Sequence, residues 1–189
     1  MRYEAWSTVG DLKTARERIL TNWGSKPGKL PPDDWLFKQI NWGGKVLDFG
    51  CGVGRNTLSL AQLNREVVGF DFPSMLSLMV EEKGALPANI RLASDWNQVK
   101  AEQFDAAIAS LVFQHIHPDD LRVYLVDLAK MTKVLYVRGR IINDFNNVRV
   151  HDVLLEGWNV TRVFPPEASV EDLNKLGPQA HYAVGLEPK

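Results

Sequence analysis

The sequence has only one cysteine, and it lacks several features typical of secreted or membrane proteins. A single thiol, Cys51, cannot form a disulfide within the chain, which favours a reducing compartment. No apolar run approaches the roughly 20 residues of a membrane-spanning helix. Residues 1–6 do not form the apolar core of a signal peptide. We therefore expect a cytoplasmic protein with no membrane partner.

An excess of charge of either sign is also missing. The chain has 22 Lys and Arg residues against 23 Asp and Glu residues, a net charge of −1, so it lacks the basic surplus typical of nucleic-acid binding. No cluster of His, Cys and acidic residues has metal-ligand spacing, and we predict no metal site. A length of 189 residues without repeats or linkers predicts a single domain over residues 1–189.

The most informative stretch begins with a short, mainly apolar run, residues 46–49, which is typical of a strand buried on both faces. Gly50, Gly52 and Gly54 follow it, and residues 56–63 then have a helical pattern. A strand followed by a glycine turn and a helix is typical of the first unit of a doubly wound α/β domain. Such a domain binds its ligand at the carboxyl ends of the strands. Glycine permits the sharp turn and the close approach of a ligand.

Two known phosphate-binding patterns do not fit this turn. A dinucleotide fingerprint requires glycine where this chain has Arg55, and a phosphate-cradling loop requires Gly-Lys-Ser/Thr at the helix start. Asp48, two residues before the first glycine, adds an acceptor that suits a ligand with an ammonium group. The segment from Asp48 to Gly54 resembles motif I, D-x-G-x-G-x-G, of the class I S-adenosylmethionine (SAM)-dependent methyltransferases.

Later segments extend this resemblance over residues 45–140. Asp71 ends the next predicted strand, where a carboxylate can accept hydrogen bonds from both ribose hydroxyls of a nucleoside. Residues 72–76 resemble the family's apolar residue followed by S-x-M-L. Residues 104–116 resemble its F-D-x-V-x-x-x-x-V-L-x-H-I segment, which dehydrogenases have no reason to carry. No N/D-P-P-Y follows, which argues against the branch that methylates exocyclic amino groups of DNA bases.

The resemblance implies an α/β fold with a doubly wound, mainly parallel seven-stranded sheet and helices on both faces. Residues 45–189 would form this Rossmann-like core. The alternating pattern predicts strands at 67–70, 90–93, 104–110 and 134–137, an antiparallel final pair at 159–164 and 181–186, and helices at 74–83, 119–131 and 150–157.

The implied function is in-line transfer of the sulfonium methyl of SAM, the cofactor, to a nucleophile of a small-molecule acceptor. Three alternatives stay open: a non-catalytic protein that binds SAM or a partner, a methyltransferase acting on RNA or protein, and, remotely, an NAD-type oxidoreductase. Neither the atom that is methylated nor the oligomeric state follows from the sequence.

The resemblance also implies site residues. Phe72 would pack on one face of the adenine, Asp95 would accept from its amino group, and Trp96 would close the other face; the alternative for Asp95 is a cap for the following turn. His115 matches the family's recurrent histidine, as either a general base or a structural residue. The candidate cofactor-binding residues are Asp48, Gly50, Cys51, Gly52, Gly54, Asp71, Phe72, Asp95, Trp96 and Ser110.

Residues 1–44 form a predicted helical extension with an unusual content of tryptophan. They hold four of the six tryptophans, Trp6, Trp23, Trp35 and Trp42, among Lys and Arg residues. We predict a lid over the SAM and acceptor sites; the alternative is that these aromatics pack onto the sheet. Candidates for lining the acceptor site are Tyr3, Trp6, Trp23, Trp96 and Phe113.

Overall fold

The computed structural model describes residues 13–14, 43–141, 149–164, 170–175 and 181–189. Strands β1 to β7 span Lys45–Phe49, Glu66–Phe70, Ile90–Ala93, Ala106–Ser110, Leu135–Arg140, Trp158–Phe164 and His181–Pro188. From residue 45 onward, the described helices α1 to α6 span Thr57–Leu63, Pro73–Lys83, Trp96–Val99, Pro118–Met131, Val150–Gly157 and Val170–Lys175, and a 3₁₀ turn spans Phe113–His115.

These strands form one sheet in the order β3-β2-β1-β4-β5-β7-β6. The pairs β1–β2, β1–β4, β2–β3 and β4–β5 are parallel, whereas β7 is antiparallel to both β5 and β6. The predicted doubly wound, mainly parallel seven-stranded sheet is therefore confirmed. The final two strands are antiparallel as expected, but β7 lies inside the sheet, and β6 forms the edge opposite β3.

The sheet is buried on both faces, which explains the apolar runs of its central strands. On one face Leu47 and Phe49 belong to a large core that includes residues of α4 and α5. On the other face Val46 packs in a smaller cluster with Leu60 of α1. A parallel strand with both faces covered needs mostly apolar residues, as Val46, Leu47 and Phe49 provide, and Asp48 is the buried polar exception.

Several boundaries differ from the predicted ones for local reasons. Helix α4 begins at Pro118, and the His117 side chain caps it by accepting the Asp119 N–H. Strand β5 continues past residue 137 to Arg140, because its backbone pairs with β7 where charged side chains interrupt the apolar pattern. Phe104, predicted as strand, forms an isolated bridge with Thr132 before β4 begins.

The predicted lid over residues 1–44 lies outside the described residues, except for positions 13–14 and 43–44. None of the helices in the described ranges combines the length and apolar character needed to cross a membrane.

Candidate active site

A pocket of about 260 Å³ opens at the carboxyl ends of β1, β2 and β4. This is the edge at which a doubly wound sheet binds its ligands. The structure brings nine of the predicted site residues to its wall: Asp48, Gly50, Cys51, Gly52, Asp71, Phe72, Trp96, Ser110 and His115. Two predicted residues, Gly54 and Asp95, do not line it.

The three glycines of the turn after β1 all have positive φ, between +57° and +77°, but they face different surroundings. A Cβ on Gly50 would overlap the side chain of Val112, and one on Gly54 would lie 2.6 Å from Cε of Met79 in α2. A Cβ on Gly52 would meet only Cε of Met75, at 3.8 Å. A side chain at position 50 or 54 would therefore require Val112 or Met79 to shift, whereas Gly52 leaves room in the pocket itself.

Asp71 joins the glycine turn to the end of β2. Its Oδ2 accepts the Gly52 N–H at 2.7 Å, and its Oδ1 accepts the Phe72 N–H at 2.7 Å. Burial raises the pKa of Asp71 to about 6, although both backbone donors act in the opposite direction. Each carboxylate oxygen retains a further lone pair for a ligand.

Asp48 is a second buried carboxylate beside the same pocket. It accepts the hydroxyl of Thr57 at 2.7 Å, and burial raises its pKa to about 6 despite that bond and the positive charge of Arg55. The negative charge of Asp71 also raises the pKa of Asp48. Because two carboxyl groups with raised pKa values border one space, a cation that enters it would favour their ionised forms. The thiol of Cys51, also at this wall, has its pKa raised by burial and is neutral.

Arg55 is a pocket residue that the sequence did not reveal. Its guanidinium donates from Nη2 to Oγ of Ser110 at 2.8 Å, so it reaches from the start of α1 to the end of β4. Burial lowers the pKa of Arg55 to about 10, and the attraction of Asp48 only partly offsets this. An arginine after a glycine turn resembles a solvated surface residue in sequence, because its partner lies 55 positions away.

Asp95 is exposed, and its Oδ1 accepts the Asn97 N–H at 2.9 Å at the start of α3. The alternative role as a cap therefore describes its contact in the structure, and its neighbour Ser94 lines the pocket instead. A role for Asp95 toward adenine stays a prediction.

An aromatic cluster forms one side of the pocket. The Trp96 ring centroid lies 5.4 Å from that of Phe49 and 5.1 Å from those of Phe70 and Tyr124. The Trp96 indole donates from Nε1 to Oδ2 of Asp127 at 2.9 Å. Phe113, a candidate for lining the acceptor site, is instead 2% exposed in the main core and does not line the pocket.

The segment after β4 brings His115 to the pocket through a strained residue. Leu111 has φ +62°, which costs a non-glycine residue about 1–2 kcal/mol. Its N–H donates to the carbonyl of Arg138 at 2.7 Å, which holds the chain in this conformation. The 3₁₀ turn that follows places His115 at the pocket wall and Gln114 in the core.

Comparisons with known proteins agree with this geometry. Residues 46–134 match the model of a family described as a methyltransferase domain. The ubiquinone biosynthesis O-methyltransferase of Agrobacterium fabrum is 28% identical in an alignment of 151 positions that covers 70% of this chain and 55% of that protein. The chain thus spans about half the length of the curated relatives it matches.

Solved structures match over more of the chain. A TehB-like SAM-dependent methyltransferase from Corynebacterium glutamicum has a TM-score of 0.64 and 16% identity, covering 94% of this chain and 96% of that one. The N-methyltransferase NodS from Bradyrhizobium japonicum, in complex with S-adenosylhomocysteine (SAH), has a TM-score of 0.58 and 15% identity, covering 77% and 78%. At these identities the solved structures show the fold alone, and the family match over residues 46–134 supports the resemblance found in the sequence.

Proposed function

We propose that this protein transfers the methyl group of SAM to a small-molecule acceptor, because residues 46–134 match a methyltransferase-domain family and the fold is shared with SAM-dependent methyltransferases. The observation that carries the proposal is the pairing of Gly52 with Asp71. Gly52 leaves open space at the pocket, and the carboxylate bonded to its N–H faces the same space.

The residues at the pocket wall fit the chemical groups of SAM. The remaining lone pairs of Asp71 suit the ribose hydroxyls, and the aromatic faces of Phe72 and Trp96 suit the adenine. The buried carboxyl group of Asp48 suits the ammonium group, and the guanidinium of Arg55 suits the carboxylate. Bound SAM supplies a methyl group that is already activated on a sulfonium.

Because the methyl group is activated, this chain has to align the acceptor and exclude water. The aromatic cluster of Phe49, Phe70, Trp96 and Tyr124 gives an apolar wall for that purpose. Methyl transfer converts a sulfonium cation into a neutral thioether, and an apolar wall suits this loss of charge.

A small-molecule acceptor is supported by two observations. The net charge is −1, without the basic surplus expected of a protein that binds RNA. The curated relatives are named for ubiquinone biosynthesis, a pathway of small molecules. A cytoplasmic location remains part of the proposal.

Calorimetry with SAM, SAH and NAD tests the cofactor. We expect SAM and SAH to bind and NAD not to bind, with Asp71→Ala weakening SAH binding by roughly 1–3 kcal/mol through loss of a hydrogen-bonded group. Tighter binding of NAD, or binding of none of the three, would contradict the proposal.

The acceptor is tested by incubating the protein and labelled SAM with cell extract, which is then divided into small-molecule, RNA and protein pools. We expect the label in the small-molecule pool. Label chiefly in RNA or protein would select one of the alternative acceptors, and tight SAH binding with no transfer to any pool would favour the non-catalytic alternative.

A further inference from the structure

The side-chain amide of Gln114 is held in one orientation by the backbone of β5. Gln114 is 1% exposed, and its Oε1 accepts the N–H of Arg140 at 2.7 Å. A backbone N–H can only donate, so the amide atom that faces it must be the oxygen. The NH₂ end of Gln114 therefore points the other way, where its Nε2 lies 3.3 Å from Nε2 of His115.

This orientation decides which nitrogen of His115 carries a hydrogen. The NH₂ group of an amide can only donate, so Nε2 of His115 must accept. A neutral imidazole has one N–H, which must then be on Nδ1. We propose that Gln114 is a positioning residue that holds His115 as the Nδ1–H tautomer, so that His115 acts toward the acceptor as a hydrogen-bond donor and not as a general base.

The consequence for the acceptor rests on the proposed function. A donor N–H would occupy the single lone pair with which an amine nitrogen attacks, whereas an oxygen anion has lone pairs to spare. The site therefore favours an acceptor oxygen that is ionised before it binds, such as that of an acidic phenol, enol or carboxylic acid. For such an oxygen the O–CH₃ bond forms as the S–CH₃ bond breaks, the electron pair of that bond stays on sulfur, and no proton has to be removed.

Nitrogen NMR of the full chain labelled with ¹⁵N-histidine tests the tautomer without any acceptor. At about pH 8, above the ordinary titration range of histidine, we expect His115 as the Nδ1–H form. His117 is an internal control, because its Nδ1 accepts the Asp119 N–H at 3.3 Å and it must be the Nε2–H form. The His115→Asn and His117→Asn variants assign the signals.

The Gln114→Glu variant replaces the NH₂ donor beside His115 with a carboxylate oxygen, which is an acceptor. A carboxylate can still accept the Arg140 N–H, but it can only accept from His115, so we expect the His115 signal to change to the Nε2–H or doubly protonated form while His117 stays the same. An Nε2–H form of His115 in the unaltered protein overturns the inference even if this variant does not fold. An unchanged His115 signal in a folded variant also overturns it.

Transfer of labelled methyl in the extract assay gives a functional comparison. His115→Asn supplies an amide N–H and no base, whereas His115→Leu supplies neither. We expect the Asn variant to keep at least about tenfold more turnover than the Leu variant; equal loss in both, with SAH binding intact, contradicts the donor role. Absence of SAH binding would instead count against the proposed function and leave the tautomer result unaffected.

Discussion

Gly52 and Gly54 share a left-handed backbone conformation, but only Gly52 faces the pocket. In Gly52→Ala the new methyl group meets no protein atom closer than 3.8 Å, so we expect only the roughly 1–2 kcal/mol cost of positive φ in stability. SAH binding should weaken by at least tenfold, and Gly52→Val should abolish it. Thermal unfolding and calorimetry measure the two effects.

Gly54→Ala is the matched control, because its methyl group would lie 2.6 Å from Cε of Met79 rather than in the pocket. We expect it to lose more stability than Gly52→Ala and to bind SAH normally at temperatures where it is folded. Unchanged SAH affinity in Gly52→Ala would show that the ligand lies elsewhere.

Asp48 should make the ligand-free protein less stable as the pH rises. Its pKa in the folded protein is about 6, against an ordinary value of 3.8, so the stability it contributes is complete below about pH 4 and is lost as the pH rises through 6. Asp48→Asn keeps an acceptor for Thr57 but cannot ionise. We expect this variant to gain roughly 1–3 kcal/mol relative to the unaltered protein between pH 4 and pH 7, measured by urea unfolding.

Asp95→Asn is the control for that comparison, since Asp95 is exposed and Asn caps helices as well as Asp does. It should show no such gain. A stability difference for Asp48→Asn that stays constant from pH 4 to pH 7 would mean that Asp48 is not destabilised by burial.

Arg55 should recognise the carboxylate of the cofactor. Arg55→Met is expected to weaken SAH binding by at least tenfold but to leave the affinity of decarboxylated SAH nearly unchanged, because that analogue lacks the group that Arg55 would bind. Arg65→Met, at an exposed site, should affect neither. Equal weakening of both ligands would assign Arg55 a role in shaping the pocket through Ser110.

At the residue scale, the sequence predicted those candidate site residues that belong to a motif of adjacent positions in the chain. The glycine turn was predicted because it directly follows an apolar strand pattern, and Asp71 was predicted because it ends the next strand. Arg55 and Gln114 were not predicted. Arg55 bonds Ser110, 55 positions away, and Gln114 bonds the backbone of Arg140, 26 positions away.

At the scale of elements, the longer helices and the central strands were predicted within a few residues because their apolar patterns follow their burial, whereas the short helices α3 and α6 were not predicted. The extent of β5 and the place of β7 were not, since both depend on pairing between strands that are distant in sequence.

The edge strand offers a test of how far the pocket depends on the rest of the sheet. Trp158 begins β6 and is 1% exposed, so Trp158→Ala should cost about 3–5 kcal/mol of unfolding free energy. Strands β4, β5 and β7 separate β6 from β1, so we expect the SAH affinity of the folded protein to be unchanged. A loss of affinity in calorimetry at low temperature would contradict this separation.

For the whole molecule, the lid over residues 1–44 stays a prediction. β1 begins at the edge of the sheet opposite the pocket, so a lid that precedes it must cross back to the carboxyl ends of the strands. If it does, SAH should protect residues 1–23 from proteolysis, and deletion of residues 1–24 should lower turnover far more than stability. Equal cleavage with and without SAH, or a deletion that does not fold, would place these tryptophans in the core.

The contact between Val112 and Gly50 joins the glycine turn after β1 to the segment after β4. The Val112 side chain lies against Gly50, and His115 follows three residues later, so we expect a shift of the turn around a cofactor to displace the segment that carries His115. Thermodynamic reciprocity then applies: the factor by which one ligand changes the affinity for the other is the same in both directions. We therefore expect the acceptor dissociation constant measured on the protein alone to differ from the one measured with SAH bound.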